Sequence, residues 1–193
     1  MRLIKPALWL LVMLACSGLA QAQAAFNLET LFLLMNAQTR VVTTFTEKKF
    51  IKGLDAPIES SGELGFEAPS RMVKRTLLPK PETLTLDDRI VTAERGRQVR
   101  SLSLDDYPEL AVHIEGLRAC LAGDRAALER VYSVELSGST AHWRMTLVPR
   151  NEKAAAQVKA IHLDGEQADI RTVQVLLTDG DSSIMHIALP HGR

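Results

Sequence analysis

Between Val41 and Leu104 the chain offers six short β-rich runs in succession, and this constrains the fold more than any other feature. The runs are Val41 to Thr46, Ile58 to Phe66, Arg71 to Leu77, Thr83 to Leu86, Ile90 to Ala93 and Val99 to Leu104. Turn residues separate them: Gly53 and Asp55, Ala68-Pro69-Ser70, Pro79-Lys80-Pro81, Asp87-Asp88, and Gly96. A parallel pair needs a crossover of a dozen or more residues, which most of these gaps cannot hold, so neighbours are expected to pair antiparallel. Ile58 to Phe66 alternates most clearly: Ile58, Ser60, Gly62, Leu64 and Phe66 share one face, and Glu59, Ser61, Glu63 and Gly65 the other. One face is wet and the other is buried or lines something apolar.

Helical spacing occurs elsewhere. Leu28, Leu31, Phe32 and Met35 recur on one face behind an Asn27 cap, predicting a helix that ends near Gln38. Asp105-Asp106-Tyr107-Pro108 opens a second, with Leu110, Ile114, Leu117 and Leu121 on one side until Gly123. Arg125 to Val131 follows Asp124 as a third. Five more strands are expected at Tyr132 to Leu136, Ala141 to Val148, Val158 to Leu163, Ile170 to Leu177 and Ser183 to Leu189. The expectation is a mainly β, α+β domain: one large antiparallel sheet with helices on one face. A sheet of so many strands curls, and if it stays unclosed its concave face must be covered or filled.

Residues 1–24 read differently. Arg2 and Lys5 precede an apolar run, and Ala20-Gln21-Ala22-Gln23-Ala24 offers small-x-small sites, so a secretory signal cleaved after Ala22 or Ala24 is expected, with residues 25–193 as a single domain. Ala7 to Leu19 is 13 residues, short of the roughly 20 that span a bilayer. Met13-Leu14-Ala15-Cys16 fits a lipoprotein signal less well than those sites fit ordinary cleavage. The whole chain balances 23 Lys+Arg against 23 Asp+Glu; without the signal, 21 face 23. Such a mildly acidic domain lacks the clustered cations that nucleic acid demands.

Catalytic patterns are sparse. Gly180-Asp181-Ser182-Ser183 looks like the nucleophile block of a lipase and esterase family, with His186 close by. That block belongs near the start of a chain, with an Asp-x-x-His pair late in it, whereas here it lies between two β-rich runs and no such pair follows. A hairpin turn is the simpler reading, and a secreted esterase using Ser182 the remote one. His113, His142, His162, His186 and His191 form no metal-ligand spacing, Cys120 has no partner cysteine after the signal, and no Gly-rich phosphate loop appears. No catalytic residue, metal or cofactor is expected.

What remains is an apolar lining. The even-numbered face of Ile58 to Phe66 (Leu64, Phe66), Trp143, Met145 and Leu147, and Val173, Val175 and Leu177 supply it, joined by Phe45, Leu84 and Leu86 as candidate groove residues. A lining with few polar contacts suits an acyl chain, because each buried methylene is worth about 0.8 kcal/mol.

The amphipathic helix, then Val42 to Phe50 (Val-Thr-Thr-Phe-Thr-Glu-Lys-Lys-Phe), then Ser61 to Pro69 (Ser-Gly-Glu-Leu-Gly-Phe-Glu-Ala-Pro) together resemble the opening of the periplasmic outer-membrane lipoprotein carrier (LolA) family. Thr83-Leu84-Thr85-Leu86-Asp87 resembles its next hairpin, and Ile161 to Gly165 with Thr178 to Ile184 its closing strands. The resemblance covers most of the chain after the signal. It implies an unclosed, strongly curved antiparallel half-barrel with a helical lid or plug. It further implies a monomeric periplasmic carrier that takes acyl chains from an inner-membrane donor to an outer-membrane acceptor. Two departures stand out. Ala68 occupies the place of an arginine thought to hold the lid, leaving Arg71 beyond the proline as a possible lid contact, and Asp88 stands where the family hairpin has glycine. Leu117 to Asp124 (Leu-Arg-Ala-Cys-Leu-Ala-Gly-Asp) also resembles a divergent branch associated with aryl-polyene and other lipid-pigment biosynthesis, so the cargo is a lipoprotein or a lipid. A lipoprotein or lipid sensor of the same fold, acting through a protein partner, is the alternative.

Overall fold

The computed structural model describes residues 26–37 and 40–189; the expected signal segment and Cys16 lie outside them. The first helix, α1 (Leu28–Asn36), begins where Asn27 Oδ1 accepts the Thr30 amide at 2.9 Å and Thr30 Oγ1 accepts the Asn27 amide at 3.0 Å. This reciprocal cap satisfies two of the amides that a helix start leaves without partners. Leu31, Phe32 and Met35 turn inward, as their spacing requires.

The strands then follow: β1 (Arg40–Phe50), β2 (Ile58–Glu67), β3 (Arg71–Leu78), β4 (Glu82–Asp87), β5 (Ile90–Arg95) and β6 (Gln98–Ser103). β1 is longer than expected, because Glu47, Lys48 and Lys49 stay in the ladder against Ser60, Glu59 and Ile58. At the β4–β5 hairpin Asp88 adopts φ of 50°, a left-handed conformation that aspartate tolerates better than most residues. A 3-10 turn (Leu104–Asp106) leads into α2 (Pro108–Leu121) and α3 (Arg125–Val131). Pro108 sits in the first turn of α2, and Asp124 Oδ1 caps α3 by accepting the Ala127 amide at 2.9 Å. Between them Gly123 takes a φ of +66° and packs so closely on the end of α1 that a Cβ would lie 2.5 Å from the Asn36 nitrogen. β7 (Tyr132–Ser139), β8 (His142–Pro149), β9 (Val158–Glu166), β10 (Asp169–Leu177) and β11 (Ser182–Ile187) complete the sheet. A single-turn helix, α4 (Glu152–Ala155), capped by Asn151, interrupts β8 and β9 and was not anticipated.

Among the described residues these strands form one eleven-stranded antiparallel sheet in the order β6-β5-β4-β3-β2-β1-β11-β10-β9-β8-β7. The sheet is not closed: β6 and β7 are its two edges. β1 pairs with β2 on one side and with β11 on the other, where Phe45 faces Ile187 and Lys49 faces Ser183. Helices and sheet meet in a core where Leu31, Phe32, Met35, Cys120, Leu128 and Tyr132 pack on Trp143, Met145, Leu147 and Leu163. A smaller cluster joins Leu104 and Ala111 to Leu86.

Candidate functional site

The inner face of the sheet follows from its register. One row across it reads Val41, Phe66, Met72, Leu86, Val91, and the next Thr43, Leu64, Lys74, Leu84. On the other wing Met185 faces Val173 and Ser183 faces Val175. Residues of both wings line a single cavity of about 440 Å³. β5 and β10 lie six strand spacings apart, about 29 Å if the sheet were flat. Val91 and Val173 both reach this cavity, so the sheet is strongly curved around it. Met35 of α1 and Ile114, Leu117 and Leu121 of α2 close it from the helical side.

The lining is mostly hydrocarbon. Two of its polar contacts are short: Thr43 Oγ1 donates to the Ala188 carbonyl at 2.7 Å, and Lys74 Nζ contacts Glu47 Oε2 at 2.6 Å; Thr85, Asp169 and Ser183 also line it. The same ammonium lies 4.9 Å from the centre of the Phe45 ring, a cation–π contact.

Six of the expected groove residues, Leu64, Phe66, Leu84, Leu86, Val173 and Val175, line the cavity. Phe45 is 2% exposed, packed beneath the Lys74 ammonium. Trp143, Met145 and Leu147 lie elsewhere than the expected groove. They share the inner face, since Met145 faces Leu163 and Leu163 faces Val173, but the helices cover that half and make them core. The Trp143 ring presses against Gly165, where a Cβ would lie 2.1 Å from it, and its Nε1–H donates to the Gln167 carbonyl at 3.0 Å. Leu177, at the end of β10, faces Val158 and is outside the lining. Arg71 is exposed opposite Glu67 at the start of β3, because the strand's alternation gives the inner face to Met72 and Lys74. Glu47, Met72, Lys74, Met185 and Ile187 were not anticipated, although the period-two series Val41, Thr43, Phe45, Glu47 already placed Glu47 on the inner face.

Other chemistry finds little support in the geometry. Ser182 opens β11 after the Asp179-Gly180-Asp181 turn, and His186 lies four residues on, about 13 Å away at strand rise. The two cannot share the hydrogen bond that a nucleophile and its base require. Among the described residues no three His, Cys, Asp or Glu side chains cluster as a metal site, and no helix is long and apolar enough to cross a membrane. Burial pushes the Cys120 thiol up to about 12 and, together with the nearby Cys120, the Tyr132 phenol up to about 12, so Cys120 stays an unreactive thiol.

Among solved structures, the backbone is similar to that of a LolA superfamily protein from Nitrosomonas europaea, with a TM-score of 0.43, 9% identity, and coverage of 85% of this chain and 92% of that one. A chain of the Pseudomonas aeruginosa MucA/MucB complex gives 0.43 and 12%, covering 86% of this chain and 58% of that one. The Mycobacterium tuberculosis lipoprotein LppX gives 0.44 and 6%, covering 86% and 96%. A search of curated proteins finds no match. The family model for outer membrane lipoprotein carrier protein LolA-like sequences matches residues 20–188, and the chain belongs to that family.

Proposed function

We propose that this protein is an exported, periplasmic carrier. It shields the acyl chains of a lipoprotein or lipid in the groove and carries them from an inner-membrane donor toward an outer-membrane acceptor, without covalent chemistry. The observation that carries the reading is the cavity of about 440 Å³, walled by aliphatic side chains from both wings of the sheet and roofed by α1 and α2. Its volume lies in the range typical of small-molecule sites, and each methylene it removes from water contributes about 0.8 kcal/mol. Residues 1–24 serve as the export signal, and the carrier works as a monomer. Membership of the LolA-like family supports the same reading.

The test is uptake of a fluorescent long-chain fatty acid by the delipidated protein. Leu64→Glu or Val175→Glu should abolish uptake while circular dichroism stays that of the wild type, because an unpaired carboxylate cannot be placed against hydrocarbon. Wild-type protein that takes up no probe and co-purifies with no lipid would sink the proposal.

A further inference from the structure

Glu47 and Lys74 form a charged pair within the aliphatic lining. Glu47 Oε2 accepts from Lys74 Nζ at 2.6 Å and from Ser60 Oγ at 3.3 Å, while Lys49 Nζ stands 3.9 Å from Oε1. The Glu47 side chain is 7% exposed and that of Lys74 24%. Register explains how they meet. Lys74 sits opposite Leu64, which faces Thr43, and Glu47 lies four residues beyond Thr43 along β1. The intervening inner-face positions are Phe45 and Gly62. At Gly62 a Cβ would lie 1.9 Å from the Arg75 carbonyl oxygen, and the Phe45 ring underlies the ammonium.

The pair sits on the β1–β3 wall of the groove, with Glu47 in one row with Met185 and Val173. On this wing Leu104, Ala111 and Ile114 pack onto Leu86, Met72 and Val91, in the row that contains Val41. Glu47 is six residues further along β1, about 20 Å at strand rise. The charged pair therefore interrupts the aliphatic lining away from this helix contact, with Ser183 and Val175 one row further on.

Stability alone does not account for such a pair. Removing two charges from water is costly, and well-packed apolar residues in their place are often as stable or more so. The local balance is also uneven, since two ammoniums, Lys74 and Lys49, approach one carboxylate. An ammonium has three N–H donors, and Glu47 engages Lys74 through a single short contact. An incoming oxyanion would find ammonium donors beyond the one that Glu47 engages.

Building on the acyl-groove reading above, we infer that this charged patch of the groove lining is a head-group site. Lys74 binds the carboxylate or phosphate of an amphiphile whose alkyl chain runs toward Phe66 and α2, and Glu47 holds the ammonium in place.

The experiment is displacement of a fluorescent long-chain probe from the delipidated protein by palmitate, methyl palmitate and hexadecyl phosphate. A charge-assisted hydrogen bond of this kind corresponds to a preference of about tenfold or more for an anion over the ester. Lys74→Met should bring that ratio close to one, and Lys74→Arg should restore it. If the methionine variant does not fold, Lys74→Gln, which keeps a donor without the charge, should show the same loss. Preference for palmitate identifies a carboxylate head, preference for hexadecyl phosphate a phosphate head, and either supports the site. Equal binding of anions and ester by the wild type, or a preference that survives the loss of the Lys74 charge, overturns the site and leaves the acyl groove standing. Displacement of the probe by inorganic phosphate alone would show an anion site independent of any chain and also overturn it. Failure of the wild type to bind any of the three lipids would instead remove the acyl-groove reading itself.

Discussion

Replacing Gly116 with alanine should destabilise the protein, although glycine is among the poorest helix formers and Gly116 lies within α2. In a solvated helix the exchange would gain about 1 kcal/mol. Here a Cβ would lie 2.1 Å from Cε2 of Tyr132, and the ring has little room to move because Tyr132 is 0% exposed and packed among Leu31, Cys120 and Leu128. Overpacking of this kind costs about 1–3 kcal/mol. The clash should therefore outweigh the propensity gain, leaving a net loss of up to about 2 kcal/mol, or a fall in Tm of about 2–4 °C for each kcal/mol in a domain of this size. Urea denaturation at equilibrium measures it. Trimming the ring with Tyr132→Leu removes the colliding atom, so in that background Gly116→Ala should become neutral or stabilising. A stabilising Gly116→Ala in the wild type, or an effect that adds without coupling to Tyr132→Leu, would refute the reasoning and show that α2 does not seat on this ring.

Two further outcomes follow from the same core. The Cys120 thiol rises from 9.0 unfolded to about 12 folded, and Tyr132 from 10.0 to about 12, both chiefly by burial. The unfolded chain then releases protons first, so stability is fully present below about pH 9 and declines as pH climbs toward 12. Urea midpoints measured across that window should fall, and Cys120→Ala should flatten the decline without removing Tyr132's share. At the start of α3, Asp124→Ala deletes the acceptor for the Ala127 amide and should cost about 1 kcal/mol in urea, whereas Asp124→Asn should recover most of it.

Much of the architecture could be read from local chemistry. Arg125–Val131 begins and ends where its Asp124 cap and the following strand residues place it, because a capped run with a helical face depends on little outside itself. α4 escaped because four residues are too few to display a period, even with Asn151 in front of them. The groove was legible by parity: Leu64, Phe66, Leu84, Leu86, Val173 and Val175 alternate onto the inner face and remain in the lining. Trp143, Met145 and Leu147 have that parity too, and nothing in β8 itself says that helices contributed by distant segments will cover them. Glu47 was hidden by its neighbours. Glu47-Lys48-Lys49 looks like a solvated charge run, yet alternation turns its first member inward while Lys48 pairs outside with Glu59 at 2.8 Å.

The pairing of β1 with β11 has a consequence for how the molecule comes into being. Six strands stand on one side of that seam and five on the other, and residues as far apart in sequence as Phe45 and Ile187 must meet to join them. Contacts between such distant residues close large loops and form slowly. A nascent chain that has not yet produced Ser182 to Ile187 holds both walls of the groove and no hinge line between them. The cavity thus has no half-built version, and its completion coincides with the arrival of β11.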